Sequence, residues 1–414
     1  TPGGARLLAE RLSGPLTDET QISRRLDSLS FFIETPSVRE NLRAALKGAP
    51  DLARALSRLA MGRGGPRDLA AVRDGLSAMA AIAAFLAQEP SLSDEVNTAL
   101  IHLQQVDPML RTKLTEALSD SLPLKARDGG FIRSGHLPEL DETRALRDES
   151  RQVIAALQAQ YADLTGARTL RIKHNNFLGY FVEVPQAVGE ELVKPPHQAL
   201  FVHRQTMQGA MRFSTQELGT LESKIASAAD RALALELALF DSLSQLVLAH
   251  ETPLKQAADA LAVLDVASAL AQRAEEGGWT RPKIDTSTAF SIKGGRHPVV
   301  EQALKRDGHV FVANDTDLGR QDGQGAGCIA LMTGPNMAGK STFLRQNALI
   351  AILAQMGSFV PADHAHLGLI DRLFSRVGAA DDLARGRSTF MVEMIETASI
   401  LHQAPEASLV MLDA

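Results

Sequence analysis

Apolar residues recur at helical spacing through most of the first 135 positions. Leu7, Leu8 and Leu12 share a face within 5–16, before Gly14-Pro15. The same spacing predicts helices over 21–32, 37–46, 51–60, 67–87 and 93–103. Pro36, Gly48, the 62–66 glycine–proline cluster and Pro90 fall between them as breakers. A helical packing domain is the plain reading. A long charged helix is predicted over 137–164. The period then changes. Residues 170–185 hold two apolar-aromatic runs around Asn175-Asn176, a hairpin pattern. A looser stretch with Pro195-Pro196 follows. Leu218, Leu221, Ile225, Ala228, Ala232, Leu235, Leu239 and Leu243 then step by three or four, on to Leu246. This is an apolar stripe along a helix of about eight turns. Two long helices flanking a small β insert predict an antiparallel pair with the insert at its far tip. A compact bundle with a surface hairpin is the alternative. After Trp279, short apolar strands and glycine turns have the texture of an α/β domain.

Composition narrows the class. The 414 residues are 45% hydrophobic, 22% charged and only 4% aromatic, an Ala- and Leu-rich mix that favours helix and argues against wholesale disorder. Cys328 is the single cysteine, which excludes an intrachain disulfide and any multi-cysteine zinc or iron–sulfur site. No uncharged apolar run approaches about 18 residues, so no transmembrane span is expected. No secretory signal opens the chain, and a cytoplasmic protein is expected. Both ends look cut, as in a piece of a longer chain. The net charge is −6, so any contact with nucleic acid must be local. The β insert differs from the whole: Arg168, Arg171, Lys173, Lys194, Arg204 and Arg212 face three glutamates across 166–213. A basic tip on two arms suits phosphate contacts that do not read sequence; a solvated face is the alternative.

One motif carries chemistry. The apolar run 328–333 is a buried-strand candidate leading into Gly334-Pro335-Asn336-Met337-Ala338-Gly339-Lys340-Ser341, which fits GxxxxGK[ST]. An apolar helix follows over 342–356. Gly334 and Gly339 let the loop curl so that backbone N–H groups point inward, and the helix N-terminus adds partial positive charge. Lys340 is placed for β- and γ-phosphates, and the Ser341 hydroxyl for Mg²⁺. The run 409–412 delivers Asp413 at a strand end, as a Walker B strand does, to hold the same metal.

These motifs resemble the MutS family of DNA mismatch-repair ATPases. TGPNMAGKST at 333–342 is similar to the family's nucleotide loop. GRHPVVE at 295–301, FVANDTDL at 311–318, GAADDLARGRSTFMVEM at 378–394 and LVMLDA at 409–414 match further motifs in order and spacing. TPGGARLL at 1–8 is similar to the start of the family's core domain, so the resemblance runs along essentially the whole chain. It implies a multidomain α and α/β fold. A helical core (1–136) would be followed by an ascending lever helix (137–165) and a β-rich DNA-gripping clamp (166–213). A descending lever helix and core return (214–280) and an ABC-type P-loop ATPase domain (281–414), stopping at Walker B, would complete it.

The resemblance also implies roles for residues. Gly334, Pro335, Asn336, Met337, Ala338, Gly339, Lys340, Ser341 and Thr342 would hold ATP or ADP, with Asn336 near the γ-phosphate and Ser341 and Asp413 on Mg²⁺. Phe311 would stack on adenine; a core phenylalanine is the alternative. Ser388 would reach in trans to the γ-phosphate of a homodimer partner, and it also suits a helix N-cap. Asp381 and Asp382 fall in a sensor-like segment or a solvated acidic turn. His297 reads as structural, since it has no partner at metal-ligand spacing. The implied partners are double-stranded DNA (a mismatched duplex for the intact protein) and a downstream mismatch-repair ATPase, with no membrane, in a nucleoid-associated cytoplasmic setting.

Three pieces of the family pattern are missing. The mismatch-reading domain would precede Thr1, and further sheet, a switch histidine and dimerising helices would follow Walker B. Ala414 stands where the family has the glutamate that activates water. A methyl group cannot do this, so no catalytic residue is retained and the chain is expected to bind ATP far better than it cleaves it. Three other readings compete. The first is a divergent MutS-like protein acting on recombination intermediates, although Met337 and the 390–394 run favour mismatch repair. The others are a P-loop ATPase without a DNA role and an inert scaffold with a vestigial loop.

Overall fold

The computed structural model describes residues 1–175, 177–318, 328–335, 338–377 and 389–413. The chain is mostly helical with small sheets, and it divides into two units: residues 1–53, 74–107 and 251–414, and residues 54–73 and 108–250. In chain order the helices begin with α1 (Pro2–Ser13), α2 (Glu19–Glu34), α3 (Pro36–Lys47), α4 (Leu52–Ala60), α5 (Pro66–Leu86), α6 (Asp94–Gln104), α7 (Pro108–Ala117) and α8 (Pro138–Thr165). There follow β1 (Arg171–Asn175), β2 (Gly179–Pro185), α9 (Gln186–Leu192), β3 (Val202–Met207), β4 (Ala210–Ser214), α10 (Gln216–Ala249) and α11 (Glu251–Gly277). The remainder is β5 (Lys283–Asp285), β6 (Phe290–Gly295), α12 (Pro298–Arg306), β7 (Asn314–Asp317), α13 (Lys340–Gln355), β8 (His364–Gly368), β9 (Arg372–Val377), α14 (Thr389–Gln403) and β10 (Ser408–Asp413).

In the first unit α11 is the central helix, with α1, α2, α3 and α6 packed around it. Its buried face is rich in alanine (Ala257, Ala260, Ala267, Ala271, Ala274), which lets neighbouring backbones approach closely. Gly4 meets it where a Cβ would collide with the Asp265 side chain, and Asp265 accepts from the Thr1 amine at 2.6 Å. Beyond α11 a mixed sheet has the order β5-β8-β6-β7, with only β5 and β8 parallel. A separate parallel pair joins β9 to β10. Helix α13 covers these strands: Ile350, Ala351 and Ala354 share one core with Phe290, Ile292, Leu367, Leu409 and Met411.

In the second unit α8 and α10 run antiparallel. Arg231 reaches Glu139 near one end of the pair, and Tyr161 meets Thr215 and Glu217 near the other. The apolar stripe is buried at Leu218, Ala232 and Leu243, and Val247 beside its end is buried as well. Between the helices lies a four-stranded antiparallel sheet of order β1-β2-β4-β3. Its core is shared with the helix ends: Val182, Val184, Phe201, Met211 and Phe213 pack with Leu157, Tyr161 and Leu218. The Tyr161, Phe201 and Phe213 rings meet edge to face at 5.3 and 6.3 Å. Each such pair is worth about 1 kcal/mol beyond its buried area.

Four features depart from the sequence expectations. Helices α7, α9 and α12 were not anticipated; α7 has weak apolar periodicity, and α9 and α12 are only seven and nine residues long. Strands β3 and β4 lie inside the stretch read as loose; β3 is exposed at every position, so it shows no alternation to read. The run 328–333 is not a strand: it is exposed, Ile329 at 96% and Leu331 at 89%, and it pairs with nothing among the described residues. An apolar run supplies strand propensity, but a strand exists only where a neighbour supplies hydrogen bonds. Finally, α5 and α10 are long and apolar enough by length and composition to cross a membrane. The apolar stretch of α5 is half buried within the protein, and that of α10 carries Glu236 and Asp241.

Candidate functional site

The first candidate site gathers at the start of α13. Gly339 adopts φ +92°, a conformation glycine takes without strain, and serves as N-cap with no side chain bonding the first turn. Among the described residues no side chain caps the leading N–H groups of α13. The Pro335 carbonyl accepts from the Ala338 N–H at 3.3 Å. Lys340 bends over the loop, its Nζ donating to the Gly334 carbonyl at 2.8 Å. One residue on, the Ser341 hydroxyl donates to the Asp413 carboxylate at the end of β10. Thr342 continues the first turn. This cluster juxtaposes an ammonium, a hydroxyl, a carboxylate and a helix N-terminus, a set that suits a phosphate with a hard cation.

Phe311 is half-buried and precedes β7. That strand meets α13 where the buried Thr316 hydroxyl donates to the Asn347 side-chain oxygen at 3.0 Å. Asn336, Met337, Asp381, Asp382, Ser388 and Ala414 lie outside the described residues. His297 N-caps α12 by accepting the Val300 N–H on Nδ1 at 3.3 Å, and burial pushes its pKa below the ordinary value. Its neighbour Arg296 donates to the Gly277 and Gly278 carbonyls at the end of α11, at 3.1 and 2.8 Å. The guanidinium thus satisfies C-terminal carbonyls of a core helix. No spacing rule pointed to this role.

The second candidate site is the small sheet. Its six cations are not equivalent. Lys173 and Arg212 both bind Glu183, at 2.6 and 3.0 Å, and hold its carboxyl below the usual range, Lys173 most strongly. Arg212 also stacks 4.6 Å over the Phe181 ring. Lys194 pairs with Glu191 at 2.8 Å. Arg204 donates to the Ser214 hydroxyl, and Arg171 to the Arg168 and Leu170 carbonyls. Among the described residues, Arg168, Arg171 and Arg204 have no carboxylate partner. Phe177 stands 92% exposed at the β1–β2 turn, where Asn175 accepts the Phe177 and Leu178 N–H groups. Sequence reasoning did not single out Phe177, and it counted Glu183 only as one of three glutamates set against the six cations. The turn-forming asparagine was the available signal for the first, and nothing in local sequence marks the second.

The chain matches two family models, MutS domain III over residues 1–271 and MutS domain V over residues 330–414. It is 59% identical over 413 residues to the DNA mismatch repair protein MutS of Rhodopseudomonas palustris strain BisA53, covering 100% of this chain and 46% of that protein. The MutS of Rhodopseudomonas palustris strain HaA2 is 58% identical, with 45% of it covered, and that of Nitrobacter hamburgensis is 56% identical, with 46% covered. The chain thus spans about half the length of the curated relatives it matches. With domain III over its helical part and domain V over the segment that brings Ser341 to Asp413, this chain belongs to the MutS family.

Proposed function

We propose that the chain is the DNA-holding and nucleotide-switching part of a mismatch-repair protein. ATP or ADP binds at the loop before α13, and duplex DNA binds at the small sheet. The observation that carries the nucleotide reading is the pairing of Ser341 with Asp413 beside the Lys340 ammonium. Hard oxygen donors meeting at a helix N-terminus suit Mg²⁺, whose chemistry there is to neutralise charge on β- and γ-phosphate oxygens. Lys340 balances phosphate charge, the N-terminal amides of α13 donate to the anion, and Phe311 is the candidate for stacking on the base. The sheet reading rests on Arg168, Arg171 and Arg204, which among the described residues have no carboxylate partner and are suited to phosphate contacts without sequence reading. The names of the relatives support DNA mismatch repair as the setting.

The unit works as a switch. Nucleotide at one site and DNA at the other change each other's affinity by the same factor, because linkage is reciprocal. A homodimer partner completes the nucleotide site through Ser388, and a downstream repair ATPase reads the switched state. With Ala414 in place, binding outlasts hydrolysis.

The experiment is a titration of the 414-residue chain with a fluorescent ATP analogue and Mg²⁺, with and without duplex DNA. Wild type should bind, Lys340→Ala should weaken binding at least tenfold, and duplex should shift the wild-type affinity. Unchanged affinity in Lys340→Ala, or identical affinities with and without DNA across a salt series in which DNA itself binds, would sink the reading.

A further inference from the structure

Helix α13 begins at the candidate nucleotide loop and is 16 residues long, about 24 Å along a helix rising 1.5 Å per residue. Its far end is held unusually tightly. The Gln355 side chain is 5% exposed and uses both ends of its amide. Nε2 donates to the Leu16 and Ile370 carbonyls, each at 2.8 Å, and Oε1 accepts the Ile370 N–H at 3.0 Å. The Gln355 main-chain carbonyl accepts the Leu16 N–H at 3.0 Å. One glutamine therefore ties α13 to the α1–α2 connection and to the segment before β9.

The next residues lock the end to α2. The helix closes with Gly357 at φ +86°, its N–H bonding Ala354 and that of Ser358 bonding Leu353, a Schellman arrangement. A Cβ on Gly357 would collide with the Arg25 side chain. Arg25 in turn donates Nη1 to the Met356 carbonyl at 2.9 Å. A cation at a helix C-terminus meets the negative end of the dipole while phosphate meets the positive end at the other. Burial, and then the charge of Arg11, push the Arg25 pKa down to about 10, so the guanidinium remains charged at neutral pH.

We propose that Gln355 and Arg25 form the joint through which occupancy of the loop before α13 reaches the helical core. They are positioning residues: neither touches the proposed nucleotide. Phosphate drawn against the α13 N-terminus shifts a rigid helix along its axis. The bonds to Leu16, Ile370 and Met356 pass that shift to α2 and the α1–α2 connection, because packed elements move as units rather than deform. This rests on the nucleotide reading of the loop and goes beyond it by assigning the output residues.

The joint is read by hydrogen exchange in the full 414-residue chain with and without a non-hydrolysable ATP analogue. The Leu16 and Ile370 amides both bond to Gln355, so their exchange should change at least threefold on nucleotide addition. Gln355→Leu should abolish that change while leaving analogue affinity within about twofold. Arg25→Met should reduce it, and Arg25→Lys, which keeps the cation at the helix end, should restore most of it. A merely structural Gln355 would lower the unfolding midpoint yet leave the nucleotide-induced change at Leu16 intact, and that result overturns the joint. Analogue binding in wild type without any change at Leu16 or Ile370 overturns it as well. Failure of wild type to bind the analogue at all defeats the nucleotide reading and the joint together, and so is distinguishable from the other two.

Discussion

Ser341 donates its hydroxyl to Asp413 across 72 positions of chain, bringing the first turn of α13 to the last residue of β10. Neither is placed by its own segment alone: α13 and β10 meet through Ile350, Ala351, Leu409 and Met411 in one apolar core. That packing sets the register in which a hydroxyl and a carboxylate face each other. Both groups are oxygen donors, so their meeting is where the Mg²⁺ dependence of nucleotide binding should reside.

Asp413→Asn keeps an acceptor for Ser341 but removes the charge. The chain should lose about tenfold in analogue affinity when Mg²⁺ is present and little when it is chelated. Equal losses with and without the metal would show that Asp413 acts only through packing.

Glu183 neutralises two cations at once, Lys173 and Arg212. Glu183→Gln releases both, and duplex affinity at low salt should rise several-fold. The slope of log affinity against log salt should steepen by up to about two, near 0.9 per additional phosphate contact. An unchanged slope would place the DNA elsewhere. The same carboxyl is held below its ordinary pKa, so it favours the folded state above about pH 4.5 and loses this contribution as pH falls through the folded-state value.

His297 accepts a backbone N–H on Nδ1, which requires that nitrogen to be unprotonated. Its folded pKa lies below 6.5, chiefly through burial. The unfolded chain therefore binds the proton more readily. The contribution of His297 is whole above pH 6.5 and is lost as pH falls through the folded value. His297→Asn, which caps without titrating, should flatten this part of the urea midpoint between pH 7 and 5, whereas His297→Ala should cost about 1 kcal/mol at neutral pH. A wild-type midpoint that does not fall over that range would remove the assignment.

Glu236 is 3% exposed on α10 and accepts from Arg144 at 2.8 Å and from the Phe131 N–H at 3.1 Å. Glu236→Ala removes the carboxylate that the half-buried Arg144 and the Phe131 N–H share and should cost about 2 kcal/mol in chemical denaturation. Replacing Arg144 and Glu236 together with leucine should recover at least half of that loss. If the double variant is no better than the single one, the pair is not the source of the cost.

Much of this was legible along the chain. The helices α1 to α6, the β1–β2 hairpin and the two long helices follow from apolar spacing, from breakers such as Pro36 and Gly48, and from Asn175 at the turn. Residues 334–341 stand out as a candidate because GxxxxGK[ST] before a helix is the pattern of a phosphate-cradling turn. The reading faltered where local pattern and tertiary need diverge. Glu236 sits beside Leu235 in an apolar stripe, and only the facing Arg144 and the Phe131 N–H explain it. The six cations of the insert look alike in sequence, yet Glu183 and Glu191 disarm three of them.

Helical period, turn chemistry and the make-up of the loop are properties of residues a few positions apart, so they can be read before the chain folds. The union of Ser341 with Asp413, the grip of Gln355 on Leu16 and Ile370, and the exposure of the 328–333 run at Ile329 and Leu331 are settled between segments tens to hundreds of residues apart. Their outcome depends on which surfaces pack and which backbone groups find partners, and a one-dimensional pattern carries no information about distance in space.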